Sequence, residues 1–264
     1  MPVLTHYLDG DGDVATIVLD NPPQNRFAPE FAQELSEAVD AITRSPARAV
    51  VLRAEGPDFS YGGDFRPWVG ADRTSLRADF DHILAVINRF EQLPIPVVAA
   101  VQGLCYGGGF ELALRADIIL AGESARFGHP EQSLGIVTLL GGIHRVAERA
   151  GRARAYEWAL TSEQVPATVM AEAGVINRVV PDAELRTEAE SFARKIAAGP
   201  TRAHVVHKSL LRSWVTGGIP AADQQLFDLA VPLFETEDVK DGLVSAAKAL
   251  KEGRPRPVLP FKGR

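Results

Sequence analysis

The spacing of apolar residues predicts an α/β chain in which strands and helices alternate early and helices prevail late. Short apolar runs predict strands, and apolar positions three or four residues apart predict amphipathic helices. Beyond residue 142 the spacing is mainly helical, with Thr236 as the N-cap of the last helix. We therefore expect an α/β core followed by a helical C-terminal part. The predicted strands are 4–8, 14–19, 49–52, 95–101 and 117–121, and the predicted helices are 29–43, 75–93 and one beginning at 110.

Three consecutive glycines lie between the predicted strand 95–101 and the helix that follows it. Gly107, Gly108 and Gly109 at such a junction allow a ligand to approach the backbone, with N–H groups pointing out of the turn. Glu111 follows in the first turn of the helix, where a carboxylate could act as an acid or base beside an oxyanion hole. The alternative is a tight turn with a glutamate that compensates the helix dipole.

A second glycine-bearing loop and an acidic turn lie nearer the N-terminus. Residues 59–65 read Phe-Ser-Tyr-Gly-Gly-Asp-Phe and follow a predicted strand. Residues 9–13, Asp-Gly-Asp-Gly-Asp, resemble the start of a calcium loop, but Val14 stands where that loop requires glycine. A strand begins immediately afterwards, so we interpret residues 9–13 as a hairpin turn and predict no metal site.

Composition and charge narrow the class of protein. Hydrophobic residues make up 46% and charged residues 23% of the 264 residues, as in globular proteins of aqueous compartments. The net charge of −6, with no long basic block, predicts that neither nucleic acid nor a membrane is a partner. No apolar run could span a bilayer, and no signal-peptide pattern opens the chain. Cys105, the one cysteine, allows no internal disulfide, so we expect a cytoplasmic location.

Several motifs occur in an order typical of one enzyme family. They are Leu-Asp-Asn-Pro-Pro-Gln-Asn at 19–25, Phe-Ser-Tyr-Gly-Gly-Asp at 59–64, Pro-Val-Val-Ala-Ala-Val-Gln-Gly at 96–103, Gly-Gly-Gly-Phe-Glu-Leu-Ala at 107–113 and Phe-Gly-His-Pro-Glu at 127–131. Each motif alone is a weak signal, but the ordered set is strong. The chain resembles the crotonase superfamily, the enoyl-CoA hydratase/isomerase family, from about Val14 to Arg264.

This resemblance implies both a fold and a ligand. The implied fold is a crotonase-like spiral of ββα units in residues 1–200, followed by a C-terminal helical trimerisation region in residues 201–264. The implied assembly is a homotrimer or a dimer of trimers. The implied ligand is an acyl-CoA thioester, so that coenzyme A belongs to the substrate and no cofactor is bound permanently.

The resemblance also assigns roles to residues at matching positions. The amides of Gly63 and Gly108 match the two donors that hold the thioester oxygen, and Glu111 and Glu131 match the two carboxylates of the hydratases. The carbonyl of Tyr61 is expected near the adenine. Further candidates for substrate binding are Gly62, Asp64, Trp68, Gly107, Leu139 and His144.

The expected reaction is the reversible addition of water to a trans-2-enoyl-CoA. Attack on such a thioester puts negative charge on its oxygen, which two preorganised N–H donors stabilise, while the carboxylates activate water and deliver a proton. Isomerisation of the double bond, dehalogenation or hydrolysis of a C–C bond on the same scaffold are alternatives. A protein that binds acyl-CoA or a partner subunit without catalysis is a further alternative, against which the presence of both glutamates argues.

Departures from the family pattern concern mainly the acyl pocket. Tyr61 replaces a small residue, and Leu139 and His144 lie in a segment, 135–145, that differs from the family pattern. His144 is either an extra acid/base or a helix-surface residue. Trp68 either lines the acyl pocket or belongs to the core, and His129 is either a pocket residue or a structural one.

Overall fold

The computed structural model describes residues 2–264, which form nine strands and nine α-helices. The strands are β1 (Leu4–Leu8), β2 (Val14–Leu19), β3 (Ala49–Ala54), β4 (Val97–Val101), β5 (Leu104–Tyr106), β6 (Ile118–Gly122), β7 (Arg126–Gly128), β8 (Val165–Pro166) and β9 (Arg178–Val180). The helices are α1 (Phe31–Arg44), α2 (Arg73–Glu91), α3 (Gly108–Ala113), α4 (Gly142–Ala150), α5 (Arg152–Thr161), α6 (Ala167–Glu172), α7 (Leu185–Ala197), α8 (Thr201–Ala230) and α9 (Glu237–Lys251).

Six strands form one sheet in the order β1-β2-β3-β4-β6-β9. β1 and β2 pair as an antiparallel hairpin, and the other neighbours pair in parallel. Since successive side chains point to opposite faces, Val50 and Leu52 enter one core cluster, whereas Val51 packs in a second cluster with residues of α7 such as Ala189. Both faces of the sheet are covered, which explains the continuous apolar runs of β3 and β4.

A smaller sheet, β5-β7-β8, brings the predicted site segments together. β5 and β7 are parallel, with Tyr106 opposite Gly128. The structures that follow these two strands, α3 and the 3-10 turn Pro130–Leu134, therefore begin side by side. A β-bridge between Ser60 and Cys105 adds the loop after β3 to the same edge. These stacked ββα units are the spiral that the resemblance implied.

The observed elements confirm most of the sequence predictions and shift some of their ends. The hairpin strands lie at the predicted residues, whereas α2 begins and ends two residues earlier than predicted. Its start is earlier because Asp72 caps it, accepting hydrogen bonds from the amides of Thr74 and Ser75. The short strands β8 and β9, within the segment predicted as mainly helical, were missed.

The C-terminal part is helical, as predicted. Thr236 caps α9 by accepting a hydrogen bond from the Val239 amide. Apolar side chains of α8 and α9 remain open to solvent in the single chain, among them Phe227 at 72%, Leu243 at 54% and Leu250 at 83% exposure. The boundary at residue 200 and the trimerisation role of this region stay predictions. No helix within residues 2–264 is both long and apolar enough to cross a bilayer.

Candidate active site

A cavity of about 340 Å³ opens where the loop after β3, the start of α3, the turn after β7 and helix α2 meet. Its wall is mainly apolar and aromatic, with two carboxylates among the polar groups. The lining residues are Arg26, Phe27, Tyr61, Gly63, Phe65, Trp68, Phe80, Ile83, Tyr106, Gly107, Gly108, Glu111, Pro130, Glu131, Ser133, Leu134, Ile136, Leu139 and Leu140.

Two backbone amides at the cavity are available to a ligand. No hydrogen bond within residues 2–264 uses the N–H of Gly63 or that of Gly108, the first residue of α3. The loops that carry them touch at Gly62, where a Cβ atom would lie 2.3 Å from the Gly108 nitrogen. Gly62 also has a positive φ of +79°, so glycine is required there for two reasons. Sequence analysis predicted both donors, and the structure brings them to one cavity.

Glu111 is held in the wall of the cavity by a single turn of the chain. Its side chain is 2% exposed, and its Oε1 accepts hydrogen bonds from the amides of Leu140 at 2.8 Å and Gly142 at 2.7 Å. Burial, and then the charge of Glu131, raise the pKa of Glu111 to about 7, although the two amides and Arg115 oppose this rise. A carboxyl group with this pKa can exchange a proton near neutral pH.

Glu131 lies beside Glu111, in the 3-10 turn after β7. It is 8% exposed, and its Oε2 has no hydrogen-bond partner within the described part of the chain. Burial raises its pKa. His129 lies behind it, with Nδ1 3.9 Å from the Glu131 Oε2 and the ring 4.9 Å from that of Phe110. Burial lowers the pKa of His129 to about 4, so the imidazole is neutral.

The remaining predicted binding residues divide into those that line the cavity and those that do not. Trp68 lines it: its ring lies 3.2 Å from the position of a Cβ on Gly63 and packs edge-on against Phe80 at 5.3 Å. Tyr61, Gly107 and Leu139 line it as well. The pocket alternative for Trp68 is therefore the one that the structure favours.

Gly62, Asp64 and His144 do not line the cavity, and neither does Lys262 near the C-terminus. Asp64 pairs with Arg66 at 2.5 Å, and Lys262 lies 3.3 Å from Glu237 in the C-terminal part. His144 lies on the exposed side of α4, with Nε2 3.1 Å from Arg145 Nη1. Of the two alternatives for His144, the structure therefore favours the helix-surface residue over the extra acid/base. The backbone of the preceding turn contacts Glu111, whereas the His144 side chain is exposed.

Sequence reasoning missed the cavity residues Arg26 and Phe80 and the buried Arg115. The guanidinium of Arg26 lies 5.4 Å from the centre of the Tyr61 ring, at the cavity. The sequence does contain a signal for Arg115, because it is a charged residue within the mainly apolar segment 110–121. An arginine buried in such a segment needs several hydrogen-bond acceptors. Its partners are far apart in sequence and only the fold reveals them.

The arrangement is suited to chemistry on the carbon atoms next to a carbonyl group. Two free amides can bind a carbonyl oxygen and stabilise the negative charge that develops on it. Two buried carboxyl groups with raised pKa values can move protons beside it. This arrangement is typical of a class of enzymes that carry out acid–base chemistry beside a carbonyl group.

Comparison with known proteins agrees with this class. The family model for enoyl-CoA hydratase/isomerase matches residues 9–253. A probable enoyl-CoA hydratase of Bacillus subtilis is 31% identical over 241 residues, which are 88% of this chain and 92% of the relative. A short-chain-enoyl-CoA hydratase of Clostridium acetobutylicum is 30% identical over 90% of this chain and 92% of its own. The crystal structure of an enoyl-CoA hydratase from Bacillus anthracis superposes with a TM-score of 0.88 at 27% identity, over 100% of both chains.

The chain belongs to the enoyl-CoA hydratase/isomerase family and is an enzyme of that family. The fold predicted from the motifs is confirmed by the similarity to solved enoyl-CoA hydratase structures.

Proposed function

We propose that this enzyme adds water reversibly to the double bond of a trans-2-enoyl-CoA thioester. The observation that carries the proposal is the meeting of two buried glutamates with two free amides at one cavity. A double-bond isomerase needs one carboxylate to carry a proton between two carbons, whereas hydration uses one group to activate water and another to protonate carbon. Both Glu111 and Glu131 line the cavity, which favours hydration.

The thioester oxygen binds between the Gly63 and Gly108 amides in this proposal. Addition of water at C3 pushes electrons from the double bond towards the thioester and places negative charge on that oxygen. The two amides already lack partners, so they stabilise the charge without breaking other hydrogen bonds. Loss of one such donor typically reduces the rate by about 10²–10³-fold.

The hydrogen bonds of the two glutamates support a separate role for each in this proposal. Two amides donate to Glu111 Oε1, which stabilises its ionised form, so Glu111 is the base that takes a proton from water. Glu131 Oε2 has no hydrogen-bond partner within the described residues, so this oxygen is free to give a proton to the substrate. Glu131 is then the acid that protonates C2, and the roles exchange in the reverse reaction.

Coenzyme A enters as part of the substrate, with no permanently bound cofactor. Arg26 and Tyr61 lie at the cavity as a cation stacked on an aromatic ring, and they provide contacts for the coenzyme part. Trp68 and Phe80 supply an apolar wall for the acyl part. Assembly as a homotrimer or a dimer of trimers through α8 and α9 is proposed on their exposed apolar side chains, and the cytoplasmic location stays a prediction.

The decisive assay is the loss of the conjugated enoyl-thioester absorbance of crotonyl-CoA, with a longer and an aromatic analogue. Wild type is compared with Glu111→Gln, Glu131→Gln and the control Glu157→Gln, an exposed glutamate on α5. We expect the two site variants to lose at least about 10²-fold in kcat and the control to match wild type. Full hydration by Glu131→Gln contradicts the proposal, as does a wild type that consumes only Δ3-enoyl-CoA.

A further inference from the structure

Two arginines donate hydrogen bonds to the same turn whose amides bind Glu111. This turn, residues 139–142, is called here the Glu111 turn because the amides of Leu140 and Gly142 both donate to Glu111 Oε1. The carbonyl of Leu140 accepts a hydrogen bond from Arg115 Nη2 at 2.6 Å, and that of Gly141 accepts one from Arg145 Nη1 at 3.1 Å. The peptide between residues 141 and 142 therefore contacts a guanidinium on one side and the catalytic carboxylate on the other.

One carboxylate connects the two arginines. Glu91, the last residue of α2, has Oε2 2.7 Å from Arg115 Nη1 and Oε1 2.9 Å from Arg145 Nε. Asn88, one turn earlier on α2, accepts a further hydrogen bond from Arg115 Nη1 at 2.7 Å. Burial raises the pKa of Glu91, but a hydrogen bond from Arg145 and the charges of both arginines outweigh this effect. The pKa of Glu91 is therefore lowered. The two arginines thus favour the ionised form of Glu91.

Arg115 is the buried centre of this network. Its side chain is fully buried, and burial followed by the charge of Arg145 lowers its pKa to about 10, which leaves it protonated at neutral pH. Burying a guanidinium is unfavourable unless acceptors surround it. Arg115 has three acceptors, and one of them is the backbone of the Glu111 turn.

We propose that Arg115 is a positioning residue, which together with Glu91 and Arg145 fixes the Glu111 turn so that both amides stay on Glu111 Oε1 and its Oε2 remains available to the substrate. The proposal deepens the proposed function and rests on it. Helix α2 then contributes to the site in two ways. Phe80 and Ile83 line the cavity, and Glu91 at its C-terminal end binds the arginines.

Removal of Arg115 changes the surroundings of Glu111 in a predictable direction. The titratable groups near Glu111 are Glu131 and His129 from the segment after β7 and Arg115 after α3, and Arg115 is in turn bound to Glu91 on α2, which pairs with Arg145 on α4. Loss of Arg115 removes a positive charge and loosens two amide donors. Both changes disfavour the ionised carboxylate, so the pKa of Glu111 rises above its value of about 7.

The chain offers a matched control in Arg149. Its guanidinium also binds backbone carbonyls, those of Leu114, Ala116 and Val175, at 2.8–3.1 Å, but none of them belongs to the Glu111 turn. Arg115→Met and Arg149→Met thus each remove an arginine that binds carbonyl groups. Arg115→Lys keeps a charge and one donor to Leu140 but not the planar fork. Glu91→Gln is a milder second variant, since Glu91 is 33% exposed.

The experiment combines steady-state kinetics with a measurement that does not need turnover. Carboxyl-¹³C glutamate is incorporated, the Glu111 signal is assigned by its loss in Glu111→Gln, and its pKa is read by NMR titration in each variant. For Arg115→Met we expect kcat to fall about 10–100-fold with KM nearly unchanged, because small misplacements of a catalytic group have effects of this size. We expect the Glu111 pKa to rise by about one unit in Arg115→Met and to recover partly in Arg115→Lys. Glu91→Gln should lower kcat less than Arg115→Met does, because Glu91 acts only through the arginines.

The outcomes separate this proposal from the proposed function. If Arg115→Met keeps kcat and the Glu111 pKa of wild type, or if Arg149→Met changes them equally, the proposal is overturned. If wild type fails to hydrate any enoyl-CoA but the Glu111 pKa still rises in Arg115→Met and not in Arg149→Met, the proposed reaction is wrong and the positioning role stands. If Arg115→Met does not fold, as judged by circular dichroism, the kcat of Glu91→Gln is compared with that of Arg149→Met. A lower kcat in Glu91→Gln alone supports the proposal, and equal values overturn it.

Discussion

The Gly62→Ala variant tests whether the two loops of the oxyanion hole must touch. The new Cβ would lie 2.3 Å from the Gly108 nitrogen and 3.0 Å from the Gly108 Cα. An ordinary contact between these atoms is about 3.4 Å or more, so the loops carrying Gly63 and Gly108 must separate by about 1 Å. A displacement of this size weakens at least one donor to the thioester oxygen, and we expect kcat to fall about 10²-fold.

The assay is hydration of crotonyl-CoA, with folding checked by thermal unfolding. Alanine at the φ of +79° also costs about 1 kcal/mol in backbone strain, which must be separated from the displacement of the loops. Gly253→Ala is the matched control, because Gly253 has a φ of +63° and no atom within 4 Å of its Cβ position. Both variants carry the strain of the positive φ, and Gly62→Ala also carries the cost of the clash, so it should lose more stability than Gly253→Ala. Only Gly62→Ala should lose activity. Activity of Gly62→Ala within threefold of wild type would refute the reasoning.

Three further predictions concern Glu111 and Trp68. With Glu111 as the base and its pKa at about 7, kcat/KM should fall about tenfold per pH unit below pH 7, and a flat profile down to pH 5 would contradict this role. Since the folded-state pKa of Glu111 is about 7 and its ordinary value is 4.5, the fold loses stability as the pH rises from about 4.5 to about 7; urea unfolding should show Glu111→Gln more stable than wild type by about 1–3 kcal/mol at pH 8 and equal to it at pH 4. Trp68→Ala should raise KM for a long-chain or aromatic enoyl-CoA about tenfold or more and change crotonyl-CoA less, whereas equal effects on all substrates would place the ring outside the acyl site.

The longer strands and helices, and several of the residues that the structure brings to the cavity, were predictable from the sequence. Strands such as β2 and β3 are recognisable because their apolar residues are continuous, and Thr236 is recognisable as a cap from its position before an acidic first turn. Gly108 and Glu111 are recognisable because three glycines interrupt a strand-to-helix junction. Each of these signals is contained in a short, contiguous stretch of the sequence.

Contacts between distant segments were decided only by the tertiary structure. The parallel pairing of β5 with β7 brings Glu131 beside Glu111, and the Glu111 turn reaches Arg115 across 25 residues of sequence. The same folding places His144 on the surface although it lies two residues after Gly142, which donates to Glu111. Hydrophobic spacing specifies which face of an element is buried, but it contains no information on which buried charge meets which carbonyl. The sequence alone therefore determines the fold class and the candidate acid–base groups, whereas the packing of α2, α3 and α4 determines the orientation and proton affinity of Glu111.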